Sequence, residues 1–265
     1  MRIALAQYSM SADMSANTEK AISLMNTAAH SAVDLIVFPE LCVTPFFPQY
    51  PGQDFGHFAT TSDGQIIREI QDSCRRLRIA ALPNLFLKEA GRLFDASLLI
   101  DRDGHIQGIS KMVHIGQMPG FFEQDYYTPS DTGFRVYDTA FGWMGVVICF
   151  DRHFPESIRT CALRGASLVV VPTANIMDEP RDVFACEMRA SAFQNCVFVA
   201  MCNRVGSEGE ATFCGESIVV DPNGKIIAKA GITEELLVVE INLSEAELAR
   251  RQRPYLSLRR TEMYA

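Results

Sequence analysis

Two periods of apolar residues alternate along this chain. Ile3 to Gln7 reads as a strand, and Ala21, Leu24, Met25 and Ala28 then recur at i, i+3, i+4, i+7, which predicts one buried helical face. LIVF at 35–38 is the next strand. Ser62 and Gln65 stand at capping-box spacing ahead of a helix burying Ile66, Ile70, Cys74 and Leu77, and IAAL at 79–82 follows as a strand. The first third therefore alternates β, α, β, α, β, the pattern of a layered α/β fold.

LLIDRDGHI at 98–106 predicts a hairpin turning at Asp103-Gly104, and IVVDPNGKI at 218–226 repeats it with Asn223-Gly224 in the turn. The pair points to a pseudo-symmetric fold with a hairpin closing each half. WMGVVIC, SLVVVPT and CVFVAMCN read as three further buried strands, separated by helices near 155–165 and 181–195. Pro155 and Glu156 suit the first turn of a helix. A last helix spans Glu245 to Arg253, with a tail from about residue 254. No Pro/Gly/Ser-rich linker interrupts the pattern, so the expectation is one α/β domain of two packed sheets with helices outside.

Bulk properties narrow the function. Of 265 residues, 48% are hydrophobic and 21% charged, which describes a globular chain with ample core. A formal charge of −8 without a Lys/Arg block argues against nucleic-acid or anionic-membrane binding and favours a small-molecule partner. MRIALAQ reads as a strand rather than a leader, and no apolar run reaches the roughly 20 residues of a membrane span. The eight cysteines are scattered without CxxC spacing, so reduced thiols and a cytoplasmic location are expected.

Two apolar strands run straight into reactive side chains. LIVFPE delivers Glu40 and VVIC delivers Cys149; Thr173 and Asn203 also stand just past strand ends, where open α/β sheets place their ligand crevices. Lys111 lies between the two in sequence. A carboxylate, an amine and a thiol are the parts for acyl transfer through a thioester. The alternative is a solvated loop acid and an inert core thiol. A free thiol has a pKa of about 8.5 and an unperturbed Glu about 4.3, a mismatch of nearly 6 kcal/mol. Burial of the acid and a neighbouring ammonium would narrow it. Arg152 and His153 could bind a substrate carboxylate, or form a salt bridge with Asp151 or Glu156. A Cys149–His153 pair is a further alternative, whereas His30, His57, His105 and His114 are dispersed. No HExxH or paired CxxC spacing supports a metal site.

Several ordered blocks carry a resemblance. FPEL around Glu40, the Lys-Met-x-His-Ile segment at 111–115, PGFFEQDYYTPSD at 119–131, GVVICFDRHFPE at 145–156, NRVG at 203–206 and VVDPNG at 219–224 resemble the nitrilase superfamily of carbon–nitrogen hydrolases, from Ile3 to about Leu243. The resemblance implies an αββα sandwich of two mixed sheets and a homodimer or larger assembly. It implies Glu40 as general base, Cys149 as nucleophile, Lys111 as oxyanion stabiliser with the backbone N–H of Phe150, and Glu123 as a fourth catalytic residue. The substrate side would be formed by Phe150, Arg152, His153, Thr173 and Asn175, with no metal or organic cofactor. The segments 111–129 and 149–156 are most similar to N-carbamoyl amino-acid amidohydrolases, N-carbamoylputrescine amidases and β-ureidopropionases. Two departures stand out: His153 replaces a second arginine, and Gly116 stands where many relatives have proline. The implied reaction is hydrolysis of an amide or N-carbamoyl group; nitrile hydrolysis and a non-catalytic scaffold remain the alternatives.

Overall fold

The computed structural model describes residues 1–264. Its first half lays down β1 (Arg2–Gln7), α1 (Met14–His30), β2 (Leu35–Val37), α2 (Gln65–Leu77), β3 (Ala80–Leu82), β4 (Asn84–Glu89), β5 (Arg92–Ile100) and β6 (Ile106–Lys111). The second half adds β7 (Val136–Thr139), β8 (Gly142–Val146), α3 (Pro155–Leu163), β9 (Leu168–Pro172), α4 (Arg181–Asn195) and β10 (Phe198–Cys202). The chain then forms β11 (Val205–Glu208), β12 (Ala211–Cys214), β13 (Ile218–Val220), β14 (Ile226–Lys229), β15 (Glu235–Glu240) and α5 (Ser244–Gln252).

One sheet runs β15-β1-β2-β3-β5-β4 with β6 paired to β5, and a second runs β14-β13-β10-β9-β8-β7. Both are mixed: β1, β2 and β3 are parallel, as are β8, β9 and β10, and the flanking strands are antiparallel. Inward residues of both sheets, among them Leu5, Val37, Leu99, Val146, Val170 and Ala200, form one shared core. The outer face of the first sheet packs on α1 and α2, and that of the second on α3 and α4. This is the four-layer αββα arrangement. The near-continuous apolar strands follow from it, because both faces of each sheet are covered.

The pseudo-symmetry is concrete at the hairpins. Asp101 Oδ1 accepts from the N–H groups of Asp103 and His105, and Asp221 Oδ1 accepts from those of Asn223 and Lys225. Gly104 (φ +79°) and Gly224 (φ +77°) both adopt left-handed backbone against a helix, α2 or α4. A Cβ on Gly104 would stand 2.6 Å from the Gln71 carbonyl oxygen, so glycine is required there. LIVFPE and LVVVPT are equivalent strand ends, which sets Glu40 across from Thr173.

The helix at 65–77 departs in detail from its sequence expectation. Gly64 rather than Ser62 is its N-cap, with no side-chain cap, and Ile67 is buried in place of Ile66 and Leu77, which are half-buried. The tail beyond α5 is largely exposed, though Arg253 donates to Pro222 O at 2.6 Å and stacks on Phe193. Among the described residues no helix is long and apolar enough to cross a membrane.

Candidate active site

Glu40 lies three residues beyond β2 in a loop held from two sides. Its N–H donates to Thr173 O in the opposite sheet at 3.3 Å, and the N–H of Leu41, which adopts φ +50°, donates to Asn84 Oδ1 at 2.7 Å. Beneath the loop, the fully buried Arg204 donates to the carbonyl oxygens of Glu40 (3.2 Å), Leu41 (3.4 Å) and Thr44 (3.1 Å) and pairs with Glu208. A guanidinium fork can serve three carbonyls and a carboxylate at once, which an ammonium cannot.

Cys149 opens a 3₁₀ turn that begins three residues past β8, and it has φ +39°. For a residue with a Cβ this backbone costs on the order of 1–3 kcal/mol. The turn aims the thiol into the space between the sheets. Thr173 Oγ1 lies 3.2 Å from Sγ and Arg152 Nη1 lies 3.6 Å from it. Arg152 Nη1 also donates to Cys149 O and to Thr173 Oγ1, both at 3.0 Å, and its guanidinium lies over the Phe184 ring, 4.4 Å from the centroid.

Two buried acids, Glu40 and Glu123, act on this thiol, and a third, Asp95, acts on both of them. Glu40 and Asp95 are both buried, and neither Glu40 oxygen nor Asp95 Oδ2 has a hydrogen-bond partner. Burial, then the neighbouring Cys149, Asp95 and Glu123, raise the Glu40 carboxyl well above its usual range, while burial lifts Asp95 to about 6. Burial also lifts Glu123 to about 8, against the Gly116 N–H that donates to its Oε2 at 2.8 Å. That bond explains glycine in place of proline at 116, since proline has no N–H to give. Burial raises the Cys149 thiol and Arg152 opposes the rise. Asp95→Asn should lower the proton affinity of Glu40 by removing a like charge and adding a donor. The acid limb of a pH–rate profile then moves to lower pH; an unmoved limb would show that the two carboxyls do not interact.

The structure does not bring Lys111 to the thiol. Side chains alternate along β6, so Ser110 and Met112 turn inward while Lys111 shares the outward face of Ile109. The Lys111 ammonium pairs with Glu89 and lies over the Phe94 ring at 4.0 Å from the centroid. Met112, fully buried, occupies the shared core with Cys149. Lys111→Met should therefore leave hydrolysis within about twofold and lower stability by about 1 kcal/mol, the sum of a rim ion pair and a cation–π contact. A loss beyond tenfold would restore it to the site.

The other expected residues divide. Phe150, Arg152, His153 and Asn175 line a cavity of about 50 Å³ beside Cys149 and Glu123, with Glu179 at its edge. Thr173 Oγ1 has one proton for two acceptors, Sγ and Asn175 Oδ1 at 2.8 Å. His153 does not serve the thiol: its Nδ1 meets Glu187 Oε1 at 3.0 Å. Among the described residues, neither Arg152 nor His153 pairs with Asp151 or Glu156. Asp151 instead accepts from the N–H groups of Val113 (3.0 Å) and His114 (2.8 Å), tying that segment to the cysteine turn. Asn203 is structural, bridging the Asn175 N–H and Gly215 O. Sequence reading missed Asp95, Tyr127 and Arg204. An acid inside the apolar run FDASLLI and an arginine directly after CVFVAMCN were the available signals. Among the described residues, no group of three or more His, Cys, Asp or Glu is arranged to hold a metal ion.

Comparison with known proteins gives the family of the chain. The carbon-nitrogen hydrolase family model matches residues 2–251. The N-carbamoylputrescine amidase of Solanum lycopersicum is 32% identical over 280 residues, covering 99% of this chain and 93% of that protein. The citrullinase of Francisella tularensis subsp. tularensis is 29% identical over 280 residues, covering 100% and 96%. A crystal structure of a carbon-nitrogen hydrolase from Helicobacter pylori G27 superimposes with a TM-score of 0.95 at 28% identity, covering 100% of this chain and 97% of that one. Fold, family model and relatives agree, and the chain belongs to the carbon-nitrogen hydrolase family.

Proposed function

We propose that this carbon–nitrogen hydrolase cleaves the amide or N-carbamoyl group of a small molecule, with Cys149 as nucleophile and Glu40 as general base. The observation that carries the reading is the strained turn that presents Cys149 to a small cavity shared with Glu123 and Arg152, with Glu40 held at the neighbouring strand end by its N–H bond to Thr173 O. Burial and its neighbours Cys149, Asp95 and Glu123 raise the proton affinity of the Glu40 carboxyl, so the thiol proton has a destination. The thiolate attacks the carbonyl carbon, and the departing amine or ammonia leaves with a proton from Glu40. Water then attacks the thioester, Glu40 takes a proton from it, and the thiolate leaves and is reprotonated.

The backbone N–H of Phe150, directly after the nucleophile, is the donor we assign to the developing oxyanion. One preorganised donor of this kind contributes about 3 kcal/mol in acyl-transfer sites. Glu123, lifted to about 8 by burial, is protonated at neutral pH and offers a donor or an acceptor to the substrate amide. The amide or N-carbamoyl reading is supported by the relatives named N-carbamoylputrescine amidase and citrullinase and by a cavity that admits a small acyl half. Ammonia release from a panel of N-carbamoyl amines, N-carbamoyl amino acids, primary amides and nitriles tests it. Turnover of ureido or amide compounds is expected, and turnover confined to nitriles would overturn it.

A further inference from the structure

We propose that Arg152 is a catalytic residue, its guanidinium supplying at the Cys149 sulfur the positive charge for which Lys111 is out of register. The inference rests on the hydrolase reading but is testable apart from it. Met112 fills the inward position of that strand, so the lysine side of the expected triad is apolar. Arg152 is 3% exposed and is, among the described residues, the one charged donor within hydrogen-bond reach of Sγ. Burial raises the Cys149 thiol and an ionised Glu123 adds to the rise, whereas Arg152 is the first of the groups that oppose it. Without that cation a thiolate formed there would stand desolvated with no opposite charge beside it.

The geometry also argues against a role limited to holding a substrate carboxylate. Arg152 Nη1 is committed to Cys149 O, Thr173 Oγ1 and Sγ, and its plane is fixed against Phe184. Thr173 receives a bond from Arg152 and passes its own proton toward Sγ or Asn175, so charge and hydrogen bond converge on the sulfur. A guanidinium keeps its charge at every working pH, which suits a site where buried acids hold protons near neutrality.

The test is the pH dependence of alkylation of Cys149 by iodoacetamide, read by peptide mapping in a Cys186→Ser background, because Cys186 is the one exposed cysteine. Alkylation needs no turnover, so it stands or falls independently of the substrate reading. Arg152→Gln should slow alkylation at neutral pH by about tenfold or more and move its inflection upward, the effect of removing one close opposite charge. Arg152→Lys should fall between Gln and wild type. Arg152→Met keeps an apolar stem against Phe184 and decides the matter if the Gln variant does not fold. An unchanged alkylation profile in the neutral variants, with only KM for anionic substrates raised, would overturn the proposal.

Discussion

Replacing Glu40 by glutamine should reduce turnover by about 10³-fold or more while leaving the protein folded. Glu40 moves protons in both halves of the reaction, and a single general acid–base step contributes roughly 10²–10⁴-fold. The fold should survive, because the new side-chain amide would donate an N–H to Asp95 Oδ2, which has no N–H or hydroxyl donor in the structure. Thermal unfolding should thus show no loss of stability, and Cys149→Ala should match the kinetic loss. Steady-state ammonia release checks the first part. Activity within tenfold of wild type in the glutamine variant would remove Glu40 from the mechanism.

Arg204→Met should cost about 3–5 kcal/mol of folding free energy, the range for breaking a buried ion pair from one side. The side chain is fully buried, and its loss leaves Glu208 without its ion pair, the Glu40 and Thr44 carbonyls without a donor, and Leu41 O with the Thr44 N–H alone. Activity should fall with it, since those carbonyls belong to the loop that presents Glu40. The double variant Arg204→Met/Glu208→Leu should recover part of the stability but not the activity. Urea denaturation of both variants is the check, and a cost below about 1 kcal/mol for the single variant would show that the clamp is dispensable.

Much of this architecture was legible in the sequence, for identifiable reasons. Helix 181–195 and the two Asp-containing turns were readable because helical periodicity and Asn/Asp-Gly chemistry are local properties. The hairpin joining β4 and β5 was not, because it turns at Ala90 (φ +49°) and Gly91 (φ +77°), without the Asn-Gly or Asp-Gly signature. Its loss hid Asp95, which the strand carries inward beside Glu40. Glu40 and Cys149 were legible as reactive residues at the ends of apolar strands, and the structure buries both.

Lys111 shows where block matching and strand geometry part. The segment resembles a catalytic lysine block, but one residue of offset in β6 reverses the face on which a side chain emerges. Alternation puts Lys111 on the face of Ile109 and Met112 on the opposite one, and only the fold shows that Met112 has the face toward Cys149. Arg204 was unreadable for a different reason. Its three carbonyl partners lie in a loop 160 to 164 residues away, and only tertiary folding brings them together.

The most direct test of the account is mass spectrometry of the Cys149 peptide from enzyme quenched during turnover of an N-carbamoyl amine or a primary amide. The account predicts a carbamoyl or acyl group on Cys149 and on no other cysteine. Turnover without any adduct at Cys149, or with the adduct elsewhere, would contradict it.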